Sequence, residues 1–259
     1  MRPLDREVRG VCGPWADDAI SHGVKLLITG RKRQIKTEYV GPLEMNVCAR
    51  NWLTNGHLER DYHLVLAHGA GAGMESELLT RMAKLVDAAG VTVHRFEFPY
   101  MAARTAGSGR KPAPRAETLV DDYCGAIGDV RARIDPQARL YIGGKSMGGR
   151  IACLAANDAG GGISGVVVLG FPLTPPRKPG SCRGAVIEAL RHRALIVQGT
   201  RDIFGGREAF RAVQLPQGVR IVWIEDGDHD LKPRRSSGRT HAEATSDAAR
   251  EIGAFCREE

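Results

Sequence analysis

From residue 60 onward the apolar positions fall into two alternating patterns. Short, nearly continuous apolar runs at 62–67, 91–98, 140–143, 166–169, 194–198 and 219–224 predict six buried strands. Between them the apolar residues recur at helical spacing. Leu78, Leu79, Met82, Leu85, Val86 and Ala89 share one face, and Gly90 follows as a stop. A helix is predicted over 115–134, and another carries Met147, Ile151, Leu154 and Ala155 on one side. The last helix opens with Thr240 and Glu243 in capping-box spacing and aligns Ala248, Ile252 and Phe255. Apolar strands alternating with amphipathic helices predict an α/β fold, a mostly parallel sheet with helices on both faces.

Residues 1–59 do not follow this rhythm. The stretches 23–29 and 35–40 read as strands, whereas 46–58 has no clear period. We expect an N-terminal segment of edge strands and irregular, poorly ordered chain, followed by one domain over 60–259. Pro- and Gly-rich loops are expected at 101–114 and 171–180.

Composition narrows the function classes. The chain has 259 residues, 42% hydrophobic and 26% charged, as a globular protein does. No apolar run reaches the roughly 18 residues of a membrane span, and the first residues lack the apolar core of a signal peptide, so a cytoplasmic protein without membrane contact is expected. The six cysteines show no regular spacing and no Cys-x-x-Cys, which predicts reduced thiols and no metal site. A net charge of +7 invites a nucleic-acid reading. Against it, only 8 of the 37 basic residues are Lys, the arginines are spread along the chain, and aromatic residues make up 5%. Platforms for stacking bases are scarce, so no nucleic-acid partner is expected.

The chemistry centres on Gly144-Lys145-Ser146-Met147-Gly148, set between a predicted strand and a predicted helix. This is the layout of a nucleophile elbow, in which small residues let strand and helix close around a strained serine. Gly144-Lys145-Ser146 also ends like a phosphate-binding loop, but that motif needs a glycine where this chain has Arg139. A serine hydroxyl needs a base, and the base a carboxylate that fixes its tautomer. Asp202 follows the fifth strand and His229 the sixth, which gives the order serine, acid, histidine of the α/β hydrolases. Asp226 and Asp228 compete as the acid but lie on the histidine's own loop. The oxyanion of the reaction needs backbone donors. One is the amide of Met147. The other comes from the loop His68-Gly69-Ala70-Gly71-Ala72-Gly73, from Ala70 with Gly71 in reserve, while His68 holds the loop. Gly69 and Gly71 also begin a dinucleotide fingerprint, but its third position holds Met74. The segment after the second strand carries Arg104, Arg110 and Lys111 where such sheets bind ligands, and a substrate-binding role toward an anion is expected of Arg104 and Arg110.

The stretches 68–73, 96–100, 143–150 and 198–202 together resemble a family of small α/β hydrolases related to the dienelactone hydrolases. It includes the testis-expressed hydrolase-like proteins and the hydrolase-like domain of a subunit of the NSL histone-acetyltransferase complex. The resemblance covers about residues 60 to 259 and implies an α/β-hydrolase fold with Ser146, Asp202 and His229 as catalytic triad. The family usually has Pro where this chain has Ile203. Dienelactone hydrolases proper use a cysteine nucleophile, so a serine argues against their substrate. Only 170–193 separates the fourth and fifth strands, leaving room for a small cap or none. The expected activity is cofactor-free hydrolysis of a small ester or thioester through an acyl-enzyme. The competing class is a non-catalytic interaction module on the same fold.

Overall fold

A computed structural model describes residues 50–107, 109, 112–158, 162–175 and 181–258, together with two strands nearer the N-terminus. The chain divides into two compact units, Met1–Arg50 and Asn51–Glu259. In the first, β1 (Val24–Ile28) and β2 (Ile35–Tyr39) pair antiparallel with Val24 opposite Tyr39. Both strands fall within the stretches 23–29 and 35–40 read as strands. The expectation of irregular chain around them lies outside the described residues.

The second unit is built on a seven-stranded sheet. Its strands are β3 (Trp52–Asn55), β4 (Tyr62–Ala67), β5 (Thr92–Phe96), β6 (Arg139–Lys145), β7 (Gly165–Leu169), β8 (Ala194–Gly199) and β9 (Val219–Ile224). Their order is β3-β5-β4-β6-β7-β8-β9, and all neighbours run parallel except β3 on β5. Side chains alternate across the sheet, so β4 feeds two cores. Leu64 and Leu66 face α1 (Glu77–Ala88) and α7 (His241–Arg257), and Val65 and Ala67 face α3 (Val120–Arg131) and α4 (Met147–Asp158). The Thr240–Glu243 capping box forms as its spacing predicts. No described helix is long and apolar enough to cross a membrane.

Two expectations change. Trp52–Asn55 is a strand of this sheet, so the sheet begins upstream of residue 60. Four half-exposed residues on an edge are too few to show a period. Residues 101–105, read as the start of a loop, belong to a helix, α2 (Pro99–Thr105), with Pro99 at its first turn. There proline's fixed φ suits the helix and its missing N–H costs nothing. Between β7 and β8 the described residues hold one short helix, α5 (Gly184–Glu188), and between β8 and β9 lies α6 (Arg207–Phe210).

Candidate active site

The elbow forms where β6 runs into α4. Ser146 sits at φ +52°, a left-handed conformation that costs a side-chain-bearing residue energy and is held here from outside. Its N–H donates to Leu169 O at the end of β7 (2.9 Å), and its carbonyl accepts from Arg150 N–H (3.0 Å). Gly148 makes the turn possible. A Cβ there would collide with the carbonyl oxygen of His68 and stand 2.8 Å from that of Ala67. The first turn of α4 therefore presses on the end of β4 and brings the next loop beside the serine. A Cβ on Gly69 would lie 3.8 Å from Ser146 Cβ.

His68 fixes that loop. Its Nε2 accepts from Phe98 N–H (3.1 Å), so Nδ1 carries the hydrogen and donates to Gly69 O (2.7 Å). Burial pushes its pKa down to about 4 and keeps it neutral. Among the described residues, the amides of Ala70 and Gly71 donate to no protein acceptor.

Asp202 follows β8 with its side chain fully buried. Oδ1 accepts from Phe204 N–H (2.8 Å). Oδ2 accepts from Gln198 Nε2 (2.8 Å) and from His229 Nδ1 (2.8 Å). His229, on the loop after β9, thus has Nδ1 committed to the carboxylate and Nε2 available. Phe204 packs on its ring, 4.4 Å between centroids. Asp226 and Asp228 make their bonds elsewhere. Asp226 holds Arg201 and Arg234, and Asp228 Oδ1 accepts from the amides of Asp230 and Lys232.

Ser146 and His229 line one cavity of about 510 Å³, together with Ala70, Gly71, Lys145 and Phe204. No hydrogen bond joins Ser146 to His229, a looseness common in sites without substrate. Lys145 is nearly buried in the cavity wall, with Nζ 3.2 Å from Asp230 Oδ1. Desolvation lowers its pKa, and Asp230 opposes the shift. The ion pair ties the elbow strand to the histidine loop. Among the described residues no group of three His, Cys, Asp or Glu side chains is placed to hold a metal ion.

Of the expected substrate contacts, Arg104 lies on α2 and is not among the residues that line the cavity. Its guanidinium donates to Ala70 O (3.2 Å) and stands 5.3 Å over the Tyr100 ring. Arg110 and Lys111 lie outside the described residues. The motifs did not single out Gln198, Phe204 or Tyr100 as parts of the site. Gln198 had a signal, being the polar residue at the end of an otherwise apolar buried strand.

Sheet order, elbow and the acid–histidine pair at neighbouring strand ends define a chain of the α/β-hydrolase type. The chain belongs to the alpha/beta hydrolase domain family, whose profile matches residues 60–257. No curated protein matches it by sequence. Its fold is similar to that of an alpha-beta serine hydrolase homologue from Coxiella burnetii (TM-score 0.58, 18% identity, 78% of this chain and 90% of that one). It is also similar to a lidless serine hydrolase from Xanthomonas campestris (0.58, 19%, 81% and 96%). A dienelactone hydrolase from Anabaena variabilis matches at TM-score 0.59 and 17% identity over 79% and 89% of the two chains.

Proposed function

We propose that this chain is a serine hydrolase acting on small carboxylic esters or thioesters through an acyl-enzyme. The observation that carries the reading is the 2.8 Å bond from His229 to a buried Asp202, with the histidine facing the same cavity as a serine held at φ +52°. As Ser146 Oγ bonds to the substrate carbonyl carbon, His229 Nε2 takes the hydroxyl proton and Asp202 stabilises the resulting imidazolium. The amide of Met147, with that of Ala70 or Gly71, receives the negative oxygen. The tetrahedral intermediate collapses as the bond to the alcohol or thiol breaks, and His229 returns the proton to that group. Water repeats the sequence to release the acid and free Ser146.

Within the family we assign the chain to the group shared with the testis-expressed hydrolase-like proteins and the NSL-subunit domain, on the motifs quoted above. We place it in the cytoplasm. What supports this is the set of reduced thiols at Cys153, Cys182 and Cys256.

The test is covalent labelling with a fluorophosphonate, alongside turnover of p-nitrophenyl esters of increasing chain length and of acyl-CoA thioesters. Wild type should label and turn over, and Ser146→Ala should do neither while keeping its fold. A wild type that neither labels nor hydrolyses any of them would hand the fold to the interaction-module reading.

A further inference from the structure

Two consecutive peptides of the loop after β4 have their carbonyls taken by side chains. Gly69 O accepts from His68 Nδ1 at 2.7 Å and from Tyr100 Oη at 3.2 Å. Ala70 O accepts from Arg104 Nη1 at 3.2 Å, with Tyr100 Oη 3.4 Å away. In a trans peptide the C=O and the following N–H point in opposite directions, and no described peptide is cis. Whatever holds the carbonyl of Gly69 therefore aims the N–H of Ala70. Whatever holds the carbonyl of Ala70 aims the N–H of Gly71.

The loop has little else to orient it. Ala70, Gly71 and Ala72 are exposed, and a Cβ added at Gly71 would meet nothing within 4 Å. Such a segment has no packing to stop a peptide plane from turning over. A turned Ala70–Gly71 peptide would present an oxygen where an N–H is needed, repelling a developing oxyanion.

We infer that Tyr100 and Arg104 are positioning residues that lock these two peptides with their N–H groups toward the oxyanion. The inference rests on the serine-hydrolase reading and deepens it. Arg104 does more than hold. A guanidinium on the Ala70 carbonyl draws charge toward that oxygen, and a peptide polarised in this way donates more strongly through the Gly71 N–H. Tyr100 supports both sides, with its hydroxyl on the Gly69 carbonyl and its ring under the guanidinium. This gives Arg104 a task in the loop itself, and it makes Gly71 N–H a full member of the donor set.

The experiment compares Arg104→Gln, Arg104→Lys and Tyr100→Phe with wild type on the ester that wild type turns over best. An alkylboronic acid serves as the tetrahedral analogue, and thermal melts report folding. Arg104→Gln should lower kcat by about 10- to 100-fold, the scale of one lost hydrogen bond to a charged group, with KM within about twofold. Boronate affinity should fall by a similar factor and the melting temperature should hold. Arg104→Lys, which keeps a charged donor, should recover most of the loss. Tyr100→Phe should show a smaller effect of the same kind. Unchanged kcat and boronate affinity in Arg104→Gln overturn the inference, as does a loss confined to KM, which would mark Arg104 as a substrate contact. A wild type that fluorophosphonate does not label removes the hydrolase reading and this inference with it. A labelled, active wild type with indifferent variants removes this inference alone.

Discussion

Gln198 Nε2 lies 2.8 Å from Asp202 Oδ2, the carboxylate oxygen that His229 Nδ1 also approaches at 2.8 Å. The amide is fully buried and does three further things. Its Oε1 accepts from Phe171 N–H (2.7 Å), and its Nε2 also reaches Gly205 O (2.8 Å) and, more distantly, Phe171 O. One side chain thus joins the chain after β7, the acid and the acid's own loop. Gln198→Leu should leave the Phe171 N–H and Gly205 carbonyl unpaired in the interior. An unsatisfied buried group costs about 1–3 kcal/mol, so urea unfolding should show a loss on that scale. With Asp202 less well held, kcat/KM should also fall, by about 10-fold or more. A variant as stable and active as wild type would mean that water replaces the amide without cost.

The three aspartates near the histidine should separate cleanly. Asp202→Asn should lower kcat by about 10⁴-fold, because an amide holds the histidine in the wrong tautomer. Asp226→Asn should weaken the hold on Arg201 and Arg234 and leave turnover nearly intact. Asp228→Asn should cost a modest factor, since its carboxylate accepts from two amides of the loop that carries His229. Steady-state kinetics on the three variants decides. A ranking with Asp226 or Asp228 first would move the acid to the histidine loop.

Gly170, at the end of β7, stands behind the histidine. It has φ +65°, and a Cβ there would lie 3.0 Å from His229 O and 3.2 Å from His229 Nδ1. Gly170→Ala would strain the turn and push on the ring that must keep its bond to Asp202. It should lower kcat at least 10-fold, since small misplacements of reacting groups are costly in rate. It should also lower stability by about 1 kcal/mol or more from the backbone alone. Full activity would show that the loop moves aside freely.

Five of the six strands expected to be buried, β4 to β8, are so along almost their whole length, while β9, on the sheet's edge, is buried only at Val219 and Ile224. The elbow turn and the pairing of Asp202 with His229 could be read because a strained serine demands small neighbours and such partners stand at strand ends. Trp52–Asn55 could not. It is short, it lies on an edge, and what it pairs with is Phe96, forty-odd residues away. The work of Tyr100 and Arg104 was equally hidden, because it depends on α2 folding back over the loop after β4. A cluster of basic residues gives no hint that one of them caps a carbonyl.

Acid should destabilise this protein through its histidines. His68 and His94 are buried with pKa values pushed down to about 4 by desolvation, and His63, bonded to His94 at 3.1 Å, is lowered in the same way. Their unfolded pKa is about 6.5. Between pH 6.5 and 4 the unfolded chain takes up protons that the folded chain refuses, so stability is full above about 6.5 and falls as pH drops toward 4. For His68 alone the loss is on the order of 3 kcal/mol. Carboxylates held in ion pairs begin to lose their contribution only below about pH 5, so urea midpoints between pH 7.5 and 5.5 isolate the histidines. A flat midpoint over that range would contradict the buried, neutral imidazoles.

The final prediction separates the two units by truncation. The unit Asn51–Glu259 contains the whole seven-stranded sheet and both of its cores. A chain beginning at Asn51 should fold and retain whatever hydrolytic activity the full chain has. A chain beginning at Gly56 loses β3. Trp52 then no longer covers Phe96 (5.6 Å between rings), Thr54 no longer meets His94 (3.2 Å), and Asn55 no longer accepts from Arg95 (3.0 Å). It also leaves β5 as an open edge, with its outward N–H and C=O groups free to pair with another chain. Burying most of a tryptophan is worth about 2–3 kcal/mol, so this second chain should melt several degrees lower and aggregate more readily. Circular-dichroism melts and size-exclusion profiles of the two chains check the pair. Equal stability would show that β3 lies on the sheet without supporting it, and an unfolded chain from Asn51 would show that the first fifty residues are needed for folding.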